Sequence, residues 1–261
     1  EDLDKILIVE DNKDVRAFIK SIFLKKYLIL EAEDGKQALN LAIEEVPNLV
    51  ISDVMMPVMD GIALCKKLKT NTKTSHIPVI LLTARTSLIF EAEGYESGAD
   101  DYISKPFSSG LLQVRVKNMI DSRKKLQQAF SQQQGQGKKV EPSMISYTSA
   151  DELFVKSALQ SIENNMSNSE YSVDDLGKDV GLSRMQLYRK LKAMVGVSAN
   201  EFIRNIRSTR AAQLLKTNQY TVAEVTYMCG FVDLQYFRRC FKKQFKVTPS
   251  DYQASDEEEN A

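Results

Sequence analysis

The sequence predicts an α/β domain with a doubly wound parallel sheet, followed by an all-α domain. In the first 124 residues, short apolar runs alternate with amphipathic segments, which is the pattern of parallel strands joined by crossover helices. From residue 151 onward, the apolar positions recur with helical spacing. Residues 125–150 are rich in Gln and Gly, a composition that cannot bury a core, so we interpret them as a linker. A chain of 261 residues is long enough for two such domains.

Five apolar runs predict a five-stranded parallel sheet with helices on both faces. The run Val79–Leu82 is apolar on both sides, as a central parallel strand must be. The predicted strands are 5–9, 27–31, 49–52, 78–82 and 101–103. The predicted helices that alternate with them are 13–25, 35–45, 61–70, 87–97 and 107–124.

Polar residues stand at the ends of four of these strands. Glu10 and Asp11 follow the first strand, and Asp53 follows the third. Thr83 and Lys105 stand at the ends of the fourth and fifth. Because the carboxyl ends of parallel strands share one edge of a sheet, we expect these five side chains to converge there.

The converging groups suit a divalent cation and a phosphoryl group. Carboxylate oxygens are ligands for Mg²⁺, and a carboxylate can accept a phosphoryl group as an acyl phosphate. Lys105 supplies a positive charge, and a cis Lys105-Pro106 bond would direct its side chain inward. Alternatively, Asp11 and Asp53 could merely cap loops. The convergence of five such residues at one edge argues against that alternative.

Four motifs in residues 3–124 resemble those of the receiver domain of bacterial response regulators, which has a flavodoxin-like fold. They are IVED at 8–11, DVMMPVMDG at 53–61, LTAR at 82–85 and GADDYISKPF at 98–107. The resemblance implies that Asp53 accepts phosphate from a phosphohistidine of a sensor histidine kinase. The Mg²⁺ ligands that it implies are Glu10, Asp11, Asp53 and the backbone carbonyl of Met55. The phosphoryl-stabilising and switch residues that it implies are Thr83, Tyr102 and Lys105.

The single histidine and the three cysteines give little indication of function. His76 lies in a loop before the fourth strand, where we expect it to be exposed and without a role, so the chain has no phosphodonor histidine of its own. Cys65, Cys229 and Cys240 form no CxxC pair, which predicts free thiols in a reducing cytoplasm. The chain shows no Ser-His-Asp set, zinc-spaced cluster or P-loop, so we expect no enzyme activity beyond phosphoryl acceptance.

The all-α domain contains two segments with the pattern of a helix-turn-helix. Gly181, Gly196 and Gly230 follow apolar-periodic stretches where a left-handed residue ends a helix, and Ser183 and Asp233 stand at N-cap positions. The predicted helices are 151–166, 173–180, 184–194, 199–217, 221–229 and 234–244.

The basic charge of the chain is concentrated in the same domain. Residues 184–246 carry 13 basic and 3 acidic side chains, a net charge of +10, whereas residues 1–124 carry 17 basic and 19 acidic ones, a net charge of −2. This block predicts a polyanion partner, since a basic amphipathic helix can enter the major groove of DNA. A helical bundle with a solvated basic exterior is the alternative, and two motifs about 50 residues apart argue against it.

Residues 151–252 resemble the DNA-binding domain of the AraC/XylS family. The similarity is carried by Gly230-Phe231, by YFRRCFKKQF at 236–245 and by VTPSDY at 247–252. The DNA-facing residues that it implies are Met185, Tyr188, Arg189 and Lys192 in the first motif and Gln235, Arg238 and Arg239 in the second.

The chain departs from that family's pattern at several positions. Gly177 replaces the usual Ala, which should loosen its helix by up to about 1 kcal/mol. Lys246 replaces the usual Gly, so that a left-handed cap there would be strained. Val232 and Leu234 differ from the common polar or Pro residues, which leaves a DNA contact at position 234 open.

The predicted function is a phosphorylation-dependent transcription regulator of a two-component phosphorelay. We expect a receiver domain at 3–124, the linker at 125–150, a DNA-binding domain at 151–252 and an acidic tail at 253–261. Its expected partners are double-stranded promoter DNA, a sensor histidine kinase and a second copy bound through the phosphorylated receiver. The alternative is a receiver that acts as a phosphate sink or docking module, joined to a helical protein-interaction domain.

The chain begins at Glu1 rather than Met, and its two modules resemble the C-terminal part of a hybrid two-component sensor of Bacteroidetes. The parent protein would then be a histidine kinase, and this part would lie at the cytoplasmic side of the inner membrane.

Overall fold

The computed structural model describes residues 3–84, 98–134 and 140–259 and divides the chain into two compact units. The first comprises Glu1–Lys124 together with Tyr147–Asp151, and the second comprises Lys125–Ser146 together with Glu152–Ala261. The predicted helix at 87–97 falls outside the described residues.

The first unit contains the predicted five-stranded parallel sheet. Its strands are β1 (Lys5–Val9), β2 (Leu28–Ala32), β3 (Leu49–Asp53), β4 (Val79–Thr83) and β5 (Asp101–Ser104). Every neighbouring pair is parallel, and the order is β2-β1-β3-β4-β5. The prediction of a doubly wound parallel sheet is therefore confirmed. The strand order reverses between β1 and β3, and open α/β sheets bind ligands at such a point.

Alternate strand residues fill two cores, one on each face of the sheet. Ile6 and Ile8 belong to one buried cluster, whereas Leu7 and Val9 belong to the other. This division follows from the two-residue period of a strand. The helices that cover the faces are α1 (Lys13–Phe23), α2 (Gly35–Glu45), α3 (Gly61–Thr70) and α4 (Ser109–Gln134).

Helix α4 extends ten residues into the segment that composition predicted to be a linker. In the second unit, the Phe130 ring is buried and lies 6.4 Å from the Phe202 ring, centroid to centroid. The Gln127 side chain donates to the Ala193 carbonyl at 2.6 Å. These tertiary contacts stabilise the helix beyond residue 124, where the predicted helix ended. A 3₁₀ turn at Pro142–Met144 follows farther along the chain.

The second unit is helical, as predicted. Its helices are α5 (Ser149–Asn164, which begins in the first unit), α6 (Val173–Asp179), α7 (Arg184–Val195), α8 (Ala199–Lys216), α9 (Val222–Met228), α10 (Leu234–Phe245) and α11 (Pro249–Glu259). Helix α11 was not predicted, and it includes much of the expected acidic tail. Thr248 initiates it by accepting a hydrogen bond from the Asp251 N–H at 3.2 Å.

The predicted helix boundaries at the turns are confirmed. Gly181, Gly196 and Gly230 have φ values of 70°, 78° and 71°. The side chain of Ser183 accepts from the Gln186 N–H, and that of Asp233 accepts from the Tyr236 N–H.

Two sequence interpretations are corrected by the structure. A Cβ atom at Gly177 would lie 2.7 Å from the Leu182 carbonyl oxygen, so Gly177 permits a close approach rather than merely loosening its helix. His76 was expected to be exposed, yet it is only 3% exposed. It belongs to a run, residues 74–80, in which every residue is buried.

Replacing Lys246 by Gly should raise the free energy of unfolding of the second unit. Lys246 ends α10 with φ 67°, a conformation that costs a residue with a Cβ about 1 kcal/mol. Urea unfolding monitored by circular dichroism would measure the gain. Lys246→Ala keeps the Cβ and is the control; equal stabilisation by Ala would show that the long side chain, not the backbone, is responsible.

Replacing Gly177 by Ala should lower the free energy of unfolding by roughly 1–3 kcal/mol, because the added methyl must displace the Leu182 carbonyl. This cost exceeds the gain of about 1 kcal/mol in helix propensity. Gly110→Ala is the matched control, since a Cβ there meets nothing within 4 Å. A Gly177→Ala protein as stable as the parent chain would contradict the steric explanation.

Candidate functional site

Three carboxylates meet at the carboxyl edge of the sheet. Glu10, Asp11 and Asp53 each offer one oxygen, and these oxygens lie within 4.8 Å of one another. Glu10 is 2% exposed and Asp53 is 8% exposed, whereas Asp11 is exposed to solvent. Oxygen ligands at this spacing suit a hard divalent cation such as Mg²⁺. The predicted convergence of the acidic residues is therefore present in the fold.

Lys105 reaches the same cluster from the end of β5. Its Nζ lies 2.8 Å from Glu10 Oε2 and 3.0 Å from Asp53 Oδ2. Its backbone N–H donates to the Thr83 carbonyl at 2.7 Å, which holds it beside β4. The Lys105-Pro106 bond is cis, as predicted. A positive charge thus lies directly beside the Asp53 carboxylate.

Burial and charge oppose each other at this site. Burial raises the pKa of Glu10, and the nearby Asp53 raises it further, against the opposing hydrogen bond from Lys105. Burial by itself would lower the pKa of Lys105, but its hydrogen bonds to Glu10 and Asp53 raise it overall. Lys105 therefore stays protonated near neutral pH. A bound cation would likewise favour ionised Glu10.

Gly61 allows α3 to begin directly behind Asp53. A Cβ at this position would lie 2.1 Å from the Asp53 carbonyl oxygen and 3.0 Å from Ser52 Oγ. The Ser52 hydroxyl itself donates to the Asp53 carbonyl at 2.8 Å. The end of β3 is thus fixed by a contact that only glycine permits. The motif at 53–61 contained this residue, but its spacing gave no indication of this role.

Arg16 is a supporting residue that sequence reasoning missed. It is buried in α1 and donates to the Glu10 carbonyl at 2.6 Å and to Glu33 at 2.8 Å. These bonds fix the turn that carries Glu10 and Asp11. One basic residue on an amphipathic helix resembles any solvated side chain, so the sequence gave no signal for it.

The remaining predicted residues of this site lie on the same strands or the loop beyond. Thr83 is the last residue of β4, and Tyr102 pairs with Leu81 across β4 and β5. Thr83 and Leu81 share one face of the sheet, so Thr83 and Tyr102 lie on that face on neighbouring strands. Met55 follows Asp53 by two residues, with its side chain exposed.

The second unit presents two basic helices in helix-turn-helix arrangements, α6–α7 and α9–α10. In α7, Leu187, Leu191 and Met194 are buried. The residues predicted to face DNA from α7 are Met185, Tyr188 and Lys192, which are exposed, and Arg189, which is half-buried. Those predicted from α10 are Gln235, Arg238 and Arg239, and all three are exposed.

Aromatic packing holds α10 in place. Phe237, Phe241 and Phe245 are buried on one side of the helix. The Phe231 ring of the turn lies 5.0 Å from the Phe237 ring, and Tyr252 of α11 lies 5.4 Å from the Phe241 ring. The opposite side, which carries Gln235 and Arg239, is consequently presented on a fixed support.

Gly230 is required in the turn before α10. Besides its positive φ, a Cβ there would lie 2.5 Å from the Met166 carbonyl oxygen. The buried Arg207 donates to the Gly230 carbonyl at 3.3 Å and to the Asn168 carbonyl at 2.6 Å. Arg207 belongs to the basic block by sequence, yet it supports the turn rather than facing solvent.

Family comparisons agree with both units. Residues 6–117 match the response regulator receiver domain, and residues 176–255 match a helix-turn-helix domain. The chain contains a receiver domain followed by an AraC-type helix-turn-helix domain. Neither matched domain is a catalytic one.

Similar proteins include both sensors and regulators. The chain is 48% identical over 248 residues to Histidine kinase P4 of Formosa agariphila, covering 95% of this chain and 18% of that protein. It is 38% identical over 132 residues to the probable transcriptional regulator ycf27 of Guillardia theta, covering 50% of each. The chain thus spans half or less of the length of these relatives.

Among solved structures, the signal receiver domain of a signal transduction histidine kinase from Syntrophus aciditrophicus is 38% identical, with a TM-score of 0.44. The match covers 46% of this chain and 91% of that one. Among the described residues, no helix is both long and apolar enough to cross a membrane.

Proposed function

We propose that Asp53 accepts a phosphoryl group from a histidine kinase and that this modification controls binding of the two helix-turn-helix motifs to promoter DNA. The observation that carries the proposal is the placement of Lys105 and two further carboxylates around the Asp53 side chain. Burying carboxylates beside the Lys105 ammonium costs desolvation free energy, so the cluster is a poor way to stabilise the fold. Such clusters of buried charged groups are typical of functional sites.

Phosphoryl transfer would form an acyl phosphate on Asp53. A carboxylate oxygen bonds to phosphorus as the phosphorus–nitrogen bond of the phosphohistidine breaks, and the imidazole keeps the electron pair and takes up a proton. Lys105, 3.0 Å from the accepting carboxylate, stabilises the negative charge of the transferred group. Mg²⁺ held by Glu10, Asp11, Asp53 and the Met55 carbonyl would neutralise charge on the phosphoryl oxygens.

Thr83 and Tyr102 form the proposed switch pair. The Thr83 hydroxyl donates to a phosphoryl oxygen, which draws the end of β4 toward Asp53 and vacates space for the Tyr102 ring. Both residues lie on the same face of β4 and β5, which supports a coupled movement. We propose that the altered face, which includes β5 and α4, pairs two receivers into a homodimer.

We propose that α7 and α10 enter successive major grooves of a duplex. The contacts would come from Met185, Tyr188, Arg189, Lys192, Gln235, Arg238 and Arg239. The arginines can bind guanine through two hydrogen bonds or clamp phosphates. Exposed polar sides on helices with buried apolar sides support this assignment. A helical domain that binds only protein, the competing function, would show no salt-dependent affinity for duplex DNA.

We further propose that the histidine kinase and this chain are parts of one longer polypeptide. Its support is the likeness of almost the whole chain to a protein named a histidine kinase, of which the matched part is 18%. The segment described here would then act on the cytoplasmic side of the membrane, as the output end of a hybrid sensor.

Replacing Asp53 by Asn should abolish labelling of the protein by radioactive acetyl phosphate in the presence of Mg²⁺, because the amide cannot form the acyl phosphate. The matched control is Asp60→Asn. Asp60 caps α3 through its side chain, and Asn caps equally well, so this variant should label normally. Persistent labelling of the Asp53→Asn protein would assign the acceptor to another residue.

Replacing Arg239 by Ala should weaken binding to a selected operator duplex by roughly 1–3 kcal/mol if the side chain reads a base. Fluorescence anisotropy at several salt concentrations would measure the affinity. Arg210→Ala removes the same charge from an exposed position on α8 and should have little effect. Equal losses in the two variants would reveal a general charge effect instead of a specific contact.

A further inference from the structure

The short segment Tyr147–Asp151 belongs to the first unit, although it lies 30 residues beyond the end of the receiver match at residue 117. It follows the 3₁₀ turn and includes the first turn of α5. Sequence composition had placed most of it in the linker. Its side chains nevertheless make specific polar contacts with the receiver.

Asp151 makes the most buried of these contacts. It is 0% exposed, and one of its carboxylate oxygens accepts a hydrogen bond from the hydroxyl of Ser75, itself 0% exposed, at 2.6 Å. The other oxygen accepts from the Thr148 hydroxyl at 3.0 Å, while Thr148 accepts from the Asp151 N–H at 3.1 Å. Thr148 thus occupies the N-cap position of α5, and its hydroxyl is bonded to both the backbone and the side chain of Asp151. Asp151 thus completes the cap of α5 and binds the receiver at the same time.

Arg123 makes the second contact from α4. Its guanidinium carbon lies 3.7 Å from the centre of the Tyr147 ring, a cation–π geometry. The same guanidinium donates to the His76 carbonyl at 2.5 Å and to Asp100 at 3.2 Å. Asp100 in turn accepts from the Val79 N–H at 2.8 Å and binds Lys69. Tyr147 therefore rests on a side chain that the His76 carbonyl and Asp100 hold in place.

Incidental contact does not explain why Tyr147 and Asp151 bind Arg123 and Ser75. A carboxylate removed from water is costly unless hydrogen bonds replace its solvation, and here the receiver supplies one of them. The loop that provides Ser75 and the His76 carbonyl has hydrogen bonds of its own to the end of α3: the Thr74 hydroxyl donates to the Leu68 carbonyl at 2.9 Å, and the Ser75 N–H donates to the Asn71 carbonyl at 2.8 Å. Specific contacts with Ser75 and Arg123 therefore hold this segment within the first unit.

We propose that Ser75, the His76 carbonyl and Arg123 form an intramolecular docking site for Tyr147–Asp151. The docking site holds the first turn of α5 on the receiver. Tyr147–Ala150, which composition assigned to the linker, are then part of the first unit. The proposal does not depend on phosphorylation of Asp53, and the test below requires none.

Hydrogen–deuterium exchange of the full chain tests the docking site. In the unmodified protein, peptides that cover residues 147–156 should exchange slowly. Ser75→Ala and Tyr147→Ala should each accelerate their exchange roughly tenfold, while peptides from β1 and β3 stay unchanged. Ser21→Ala is the matched control, since that hydroxyl donates only within α1, to the Phe18 carbonyl.

Either of two results would overturn the proposal: fast exchange of residues 147–156 in the unmodified chain, or unchanged exchange in Tyr147→Ala. If Ser75→Ala also exposes β1 and β3, that variant has lost the receiver fold. Tyr147→Ala, which leaves the receiver core intact, then decides the question.

Discussion

The contact between Lys105 and the two buried carboxylates, Glu10 and Asp53, is the interaction on which the chemistry proposed for the first domain depends. Three carboxylates within 4.8 Å repel one another, and a single ammonium offsets only part of that charge. The residual negative charge favours the binding of a divalent cation. Arg16 and Gly61 hold the strand ends so that this balance is kept before any ligand arrives.

Sequence patterns predicted this site because topology does most of the positioning. Once the strands are known to be parallel, the residues that follow them must share an edge, whatever the details of packing. Glu10, Asp53 and Lys105 could therefore be placed without coordinates. Gly61 and Arg16 could not, because their roles rest on distances between elements that are far apart in sequence.

The errors have a common physical origin, which is tertiary contact overriding local composition. The Gln-rich segment after residue 124 is helical where Phe130 and Gln127 find partners in the second unit. His76 is buried although its neighbours are polar, because Arg123 and Asp151 satisfy the groups of that loop. Gly177 costs helix propensity, but the close carbonyl of Leu182 leaves no room for a larger residue.

In the second domain, the side chains that stabilise α10 and those proposed to bind DNA lie on opposite sides of that helix. The buried rings of Phe237, Phe241 and Phe245 anchor α10, while Gln235 and Arg239 contribute little to the core. A substitution on the exposed side should thus change the proposed contacts with DNA without disturbing the fold. Arg207 shows that a basic residue in this domain need not face solvent. It is basic and lies in the same block of sequence, but it is buried against the turn at Gly230, so charge alone does not identify a DNA contact.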